Sequence, residues 1–182
     1  HLIIAREVFG ITTAGGLACD AVLQCATALA IALYFWRDLY SLARGTLARE
    51  REALFEVLYL AVATVPAVLL GILLEEAMET VFRSVALVAG TLIAGSLIMA
   101  AIEWVVRARA RSERTVPRAI SIGFFQALAL VPGMSRSGMT IVGGMLAGLS
   151  REAATRFAFL LGIPVLFGSG LKKILDIAQG TD

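Results

Sequence analysis

The chain has 182 residues, 59% of them hydrophobic and 16% charged, with a mean hydropathy of +0.85 and a formal net charge of +2. Soluble domains are nearer half apolar and roughly a quarter charged, so this composition excludes a water-soluble fold and requires lipid to cover the apolar excess. No basic run is interleaved with aromatics, which excludes nucleic acid as a partner, and residues 1–182 read as one integral membrane domain.

His1 opens the chain without an initiator Met, a basic region or a cleavage site, so the start is not a signal peptide. The tail, Ala178 to Asp182, is short and polar, and both ends read as cuts through a longer protein. The first predicted span covers about residues 17–36 and holds Cys19 and Cys25, whose spacing fits neither a metal site nor a disulfide framework and marks them as packing residues. A loop over 37–53 carries Arg37, Arg44, Arg49 and Arg51. The second span, about 54–74, contains Pro66, and an acidic loop comes next with Glu75, Glu76, Glu79 and a lone Arg83. The third span covers about 84–106. After it, 107–118 holds Arg107, Arg109, Arg111, Arg114 and Arg118. The last span, about 157–171 with Pro164 inside, is short for a crossing that needs roughly 17–25 residues.

The arginine excess places 37–53 and 107–118 on the cytoplasmic side and the acidic loop outside. Trp36 and Trp104 then fall at inner helix ends, where interfacial aromatics are expected, while Lys172 and Lys173 weakly oppose the charge rule. Asp20, Glu56 and Glu103 lie near helix ends, where capping or interface solvation accounts for them better than chemistry does.

Residues 119–149 are apolar but do not read as one helix. Pro132-Gly133 breaks the run, and Arg136 is the only charge between Arg118 and Arg151. Two half-helices joined by a polar loop are expected, a re-entrant pair of the kind tolerated at membrane depth only where protein or water surrounds it. Gly144 and Gly148 form a G-x-x-x-G spacing that signals helix packing.

The loop Pro132-Gly133-Met134-Ser135-Arg136-Ser137-Gly138 carries the chemistry. A charge at membrane depth needs a cavity and an anionic partner. Arginine grips phosphate oxygens with a planar fork of donors. Gly133 and Gly138 allow backbone amides to approach an anion, and a half-helix starting at Ser137 or Gly138 would aim its first amides at it. Ser135 and Ser137 add hydroxyls, as donors or as nucleophiles. Gln126, about two turns earlier, lines the site or packs. A weak echo relates the stretch from His1 to Asp38 with that from Met139 to Lys173, in opposite directions, which is the mark of an inverted repeat.

The run from Gln126 to Gly138 resembles the P-G-x-S-R-S-G signature of undecaprenyl-diphosphate phosphatases, the bacitracin-resistance family. The opening from His1 to Ala5 resembles the residues at and just after the histidine of that family's Ser-Ser-Thr-Gly-His element, and Asp20 to Gln24, Tyr34 to Arg37 and Leu149 to Ala153 fit in the same order. The resemblance implies an all-α, polytopic membrane helix bundle of inverted-repeat architecture, with re-entrant loops meeting near mid-bilayer in a bacterial inner membrane. It implies hydrolysis of undecaprenyl diphosphate to the monophosphate, recycling the lipid carrier of cell-wall synthesis. A binding or transport protein for lipid phosphates is the alternative reading, since carriers share this architecture. Within the family pattern His1 matches the active-site histidine, as general base or phosphate-directed nucleophile, Arg136 the phosphate-binding arginine, and Ser135 and Ser137 the motif serines. The resemblance further implies a divalent cation, Mg or Ca, held by the glutamates of an E-x-x-x-E motif that would lie upstream of His1, so 1–182 alone is expected to be inactive. Partners are a polyprenyl diphosphate and membrane lipids, and a homodimer is left open.

Overall fold

The computed structural model describes residues 13–74, 85–106 and 115–179, and side chains from residue 21 onward except those of 173 and 176–179. His1, the acidic stretch 75–84 and the arginines from 107 to 114 lie outside the described residues, as do residues 1–12 of the echo's N-terminal arm. Among the described residues every element is an α-helix. They are α1 Thr13–Tyr34, α2 Trp36–Leu47, α3 Arg51–Leu73, α4 Val85–Val105, α5 Val116–Leu128, α6 Arg136–Leu146 and α7 Arg151–Gln179. Helices α3 and α4 and residues 151–172 of α7 are each long and apolar enough to cross a membrane, and α1 with α2 qualifies as a pair bent by 76°.

Three predicted spans match α1, α3 and α4 within a few residues, but two expectations change. The arginine-rich segment 37–53 is largely helical, not a loop. Trp36, Tyr40, Ala43 and Leu47 repeat at helical spacing on one exposed face of α2, and Leu39, Leu42 and Gly45 turn toward protein. An amphipathic helix turned sharply from the preceding span, with arginines beside its apolar face, is suited to a membrane interface. The last helix is also longer than expected. The Ser150 hydroxyl accepts from Ala153 N at 3.1 Å and Glu152 sits in the first turn, so α7 starts at Arg151.

Helix α7 is the hub: it packs on α1, α3 and α6, while α5 lies against α3 and folds back on α6. The core comprises Tyr59, Ala63, Ala119, Ile122, Met145, Leu149, Ala154, Phe157 and Leu161, with the Tyr59 and Phe157 rings edge-on at 5.1 Å. Small residues bring the axes together. A Cβ on Gly123 would sit 2.5 Å from Ala63 O, one on Gly144 2.8 Å from Ala154 Cβ, and one on Gly170 2.7 Å from Cys25 Sγ. Gly144 and Cys25 are thus packing residues, as their patterns predict. At one end of the bundle Glu103 pairs with Arg151 at 2.5 Å, and Asp38 takes both Nη2 (2.6 Å) and Nε (2.9 Å) of Arg156. Glu103, read as an interface carboxylate, is therefore an ion-pair partner.

Candidate active site

The break in 119–149 falls where the sequence places it. Helix α5 ends at Leu128, and three successive i to i−3 bonds, from the amides of Ala129, Leu130 and Val131, tighten its last turn. Val131 O then accepts from Met134 N at 3.1 Å, and Gly133 has φ of 102°. Proline at the second position and a positive-φ glycine at the third make this a type II turn. Ser135 comes next in extended geometry as the N-cap of α6, accepting from Gly138 N at 3.2 Å. The half-helix thus begins at Arg136, a residue or two earlier than predicted, and the Gly138 amide is engaged by the cap.

Helix α4 backs this loop. The Thr91 hydroxyl donates to Pro132 O at 2.5 Å. A Cβ on Gly133 would lie 2.6 Å from Val88 O and collide with Thr91 Oγ1, one on Gly95 would sit 3.1 Å from Met134 Sδ, and one on Gly138 would strike Met99 Sδ. Gly133 and Gly138 therefore both turn toward α4.

Arg136 turns the other way, toward α7. Its Nη1 donates to Gly162 O at 3.2 Å, and the guanidinium lies beside the bare Gly162 Cα, where a Cβ would be 3.8 Å from Cζ. No carboxylate pairs with Arg136 among the described residues. The guanidinium lines a cavity of about 290 Å³ among α3, α5, α6 and α7, together with Thr64, Gln126, Pro164 and Ser169. Gln126 is 3% exposed, and its Nε2 has no partner among the described residues. Such an orphan is rare in a folded interior and calls for a ligand. Thr64 is satisfied by Leu60 O at 2.9 Å, and Ser169 donates to Gln24 Oε1 at 2.9 Å. The cavity is thus lined by one cation and by neutral, mostly apolar groups, with no acid among its described residues. That is the electrostatics of an anion site.

Ser135 and Ser137 flank Arg136 in the chain but do not line this cavity. Ser135 is exposed and Ser137 half-buried. Among the described residues no group of three or more His, Cys, Asp or Glu is placed to hold a metal ion, and the Arg136 cavity does not fit one. Thr91, absent from the sequence-derived candidates, is a residue that only the fold reveals. Its partner Pro132 is 41 positions away.

Residues 1–182 match the family model described as bacitracin resistance protein BacA. The chain belongs to this family. It is 39% identical to undecaprenyl-diphosphatase 1 of Shouchella clausii over 189 residues, covering 99% of this chain and 68% of that protein. The undecaprenyl-diphosphatase of Verminephrobacter eiseniae is 40% identical over 181 residues (96% and 65%), and that of Pelotomaculum thermopropionicum 39% over 182 (99% and 69%). The chain spans about two thirds of the length of these curated relatives. Family membership and the apolar spanning helices together make it a multi-pass membrane protein.

Proposed function

We propose that the protein of which these residues are part is an undecaprenyl-diphosphatase of the bacterial inner membrane. It would hydrolyse undecaprenyl diphosphate to undecaprenyl phosphate and inorganic phosphate, and so recycle the carrier for cell-wall synthesis. The observation that carries this reading is the Arg136 cavity. Among the described residues, a guanidinium with no carboxylate partner and a buried glutamine whose amide nitrogen has no partner line one cavity without an acid, in a chain whose relatives bear that activity in their names.

In this mechanism the terminal phosphoryl group enters the cavity. Arg136 keeps Nη1 on Gly162 O, and its other nitrogens take the phosphate oxygens. Gln126 Nε2 donates to a non-bridging oxygen and thereby gains the partner it lacks. Attack at the terminal phosphorus forms a new bond, P–O when water attacks or P–N when an imidazole does, and breaks the bond to the bridging oxygen, which leaves with the prenyl phosphate carrying its electron pair. Arg136 stabilises the charge that grows as that bond breaks. His1, outside the described residues, is assigned the proton transfer from water or the attack itself, the latter followed by hydrolysis of the phosphohistidine. Ser135 shapes the start of α6 as its cap, and Ser137 is assigned a hydroxyl at the mouth of the site. A divalent cation, Mg or Ca, would be held by glutamates of the full-length protein outside the described residues.

The test is Arg136→Lys in the purified full-length protein, read as phosphate released from a polyprenyl diphosphate. Lysine keeps the charge and loses the fork. Charge-assisted hydrogen bonds are worth about 1.5–3 kcal/mol, so turnover should fall roughly ten- to a hundredfold with the thermal unfolding midpoint unchanged. Wild-type turnover in that variant would overturn the assignment. A protein that moved lipid phosphates without releasing phosphate would show no hydrolysis in either form.

A further inference from the structure

We infer that Thr91 is a positioning residue for the reaction, setting the place of Arg136 from a helix that does not line the phosphate cavity. The inference rests on the reading of Arg136 as phosphate clamp. Thr91 lies on a stripe of α4 formed by Val88, Thr91, Gly95 and Met99, spaced so that all four face one side of the helix. Each member meets the loop: Val88 O and Thr91 at Gly133, Gly95 at Met134, and Met99 at Gly138. The rest of α4 is largely exposed, with Ile93 and Leu97 each more than three-fifths accessible. Apart from the Glu103–Arg151 ion pair at its far end, the helix meets protein mainly along this stripe, where it backs the turn that starts α6.

The polar contact in that stripe is the Thr91 hydroxyl. It has one hydrogen and three acceptors in reach: Leu87 O at 2.9 Å and Val88 O at 3.0 Å in its own helix, and Pro132 O at 2.5 Å in the loop. Back-bonding to its own helix would be the ordinary fate of a threonine in a spanning segment. Here the loop carbonyl is nearest. Pro132 O also belongs to a turn whose next residue, Gly133, is pressed onto the same patch. From Pro132 the chain reaches Arg136 in four residues, through a type II turn and a one-residue cap, both rigid. A shift of the turn along α4 therefore moves the first turn of α6 and the guanidinium with it. Misplacement of a positioned group by about 1 Å can cost up to roughly a hundredfold in rate.

The experiment uses the purified full-length protein with farnesyl diphosphate as a soluble prenyl diphosphate, comparing Thr91→Val, Thr91→Ser and Arg136→Lys. Thr91→Val preserves shape and removes the donor. Its kcat should fall about tenfold or more with KM within about twofold, and Thr91→Ser should restore most of the rate. Should valine impair folding, Thr91→Ala removes the same hydroxyl without the second methyl and takes its place. Wild-type kcat in the valine variant overturns the inference. Equal losses in the valine and serine variants, tracking a lowered unfolding midpoint, also overturn it, because they mark a packing role. Wild-type turnover in Arg136→Lys overturns the phosphate-clamp reading and this inference with it. A crippled Arg136→Lys beside an unaffected Thr91→Val removes only the inference.

Discussion

Replacing Gln126 by methionine separates a packing glutamine from a ligand-binding one, because the two roles predict opposite combinations of stability and activity. Gln126 is 3% exposed and its Nε2 has no partner among the described residues. Leaving such a donor unpaired costs about 1–3 kcal/mol. Methionine has a similar length, no strong donor, and enough flexibility to fill the same space. The empty variant should therefore be more stable than wild type by about 1–3 kcal/mol. At roughly 2–4 °C per kcal/mol for a chain of this size, that raises the unfolding midpoint by several degrees. Turnover should move the other way. A hydrogen bond to a charged phosphate oxygen is worth about 1.5–3 kcal/mol, so kcat/KM should drop roughly ten- to a hundredfold. The assay is thermal unfolding in detergent beside phosphate release from farnesyl diphosphate, both on full-length protein. A stabilised variant with unchanged kcat/KM would make Gln126 a mere packing residue. A destabilised one would refute the claim that its amide lacks a partner.

Two further outcomes are expected from the packing and the charge pattern. Gly123→Ala should destabilise the protein by about 1–3 kcal/mol, because its Cβ would lie 2.5 Å from Ala63 O and 2.8 Å from Pro66 Cγ; an unchanged unfolding midpoint would show that α3 and α5 can separate freely. Single cysteines near Arg44 and Arg111, placed in a background free of Cys19 and Cys25, should resist a membrane-impermeant thiol reagent on intact cells, while one near Glu76 should react; the reverse pattern would invert the orientation.

What the sequence revealed best were features with local causes. The break at 129–135 arises from Pro132-Gly133, whose only comfortable turn is type II, and from Ser135, whose side chain caps helix α6. The isolated charge of Arg136 marked the cavity for a similar reason: a cation at membrane depth has few tolerable surroundings. Helix α2 was missed because four arginines dominated its segment, although Trp36, Tyr40, Ala43 and Leu47 carried a helical period that would have revealed it. The early start of α7 was likewise encoded in Ser150 and Glu152, a cap and a first-turn acid. Thr91, Gly95 and Gly162 were not legible at all. Their roles are contacts across the fold, from Gly95 to Met134 and from Gly162 to Arg136, and no local pattern distinguishes them from other small residues in apolar helices.

The hydrogen bonding of the loop between α5 and α6 bears on why the candidate site sits where it does. Backbone that leaves a helix inside a membrane must find partners for its amides and carbonyls from protein. Here the carbonyls of Gln126, Ala127, Leu128 and Val131 are taken by amides three residues on, Pro132 O by Thr91, and Ser135 O by Met139 N at 2.8 Å. The Gly138 amide goes to the cap. Beyond these backbone pairs, the strong side-chain donors near the loop are the other nitrogens of Arg136 and Nε2 of Gln126, which has no partner among the described residues. Both residues line one cavity, and no acid among the described residues lines it. Under the proposed reading an anion accepts from both, and a phosphate carries enough oxygens to do so while Nη1 stays on Gly162 O.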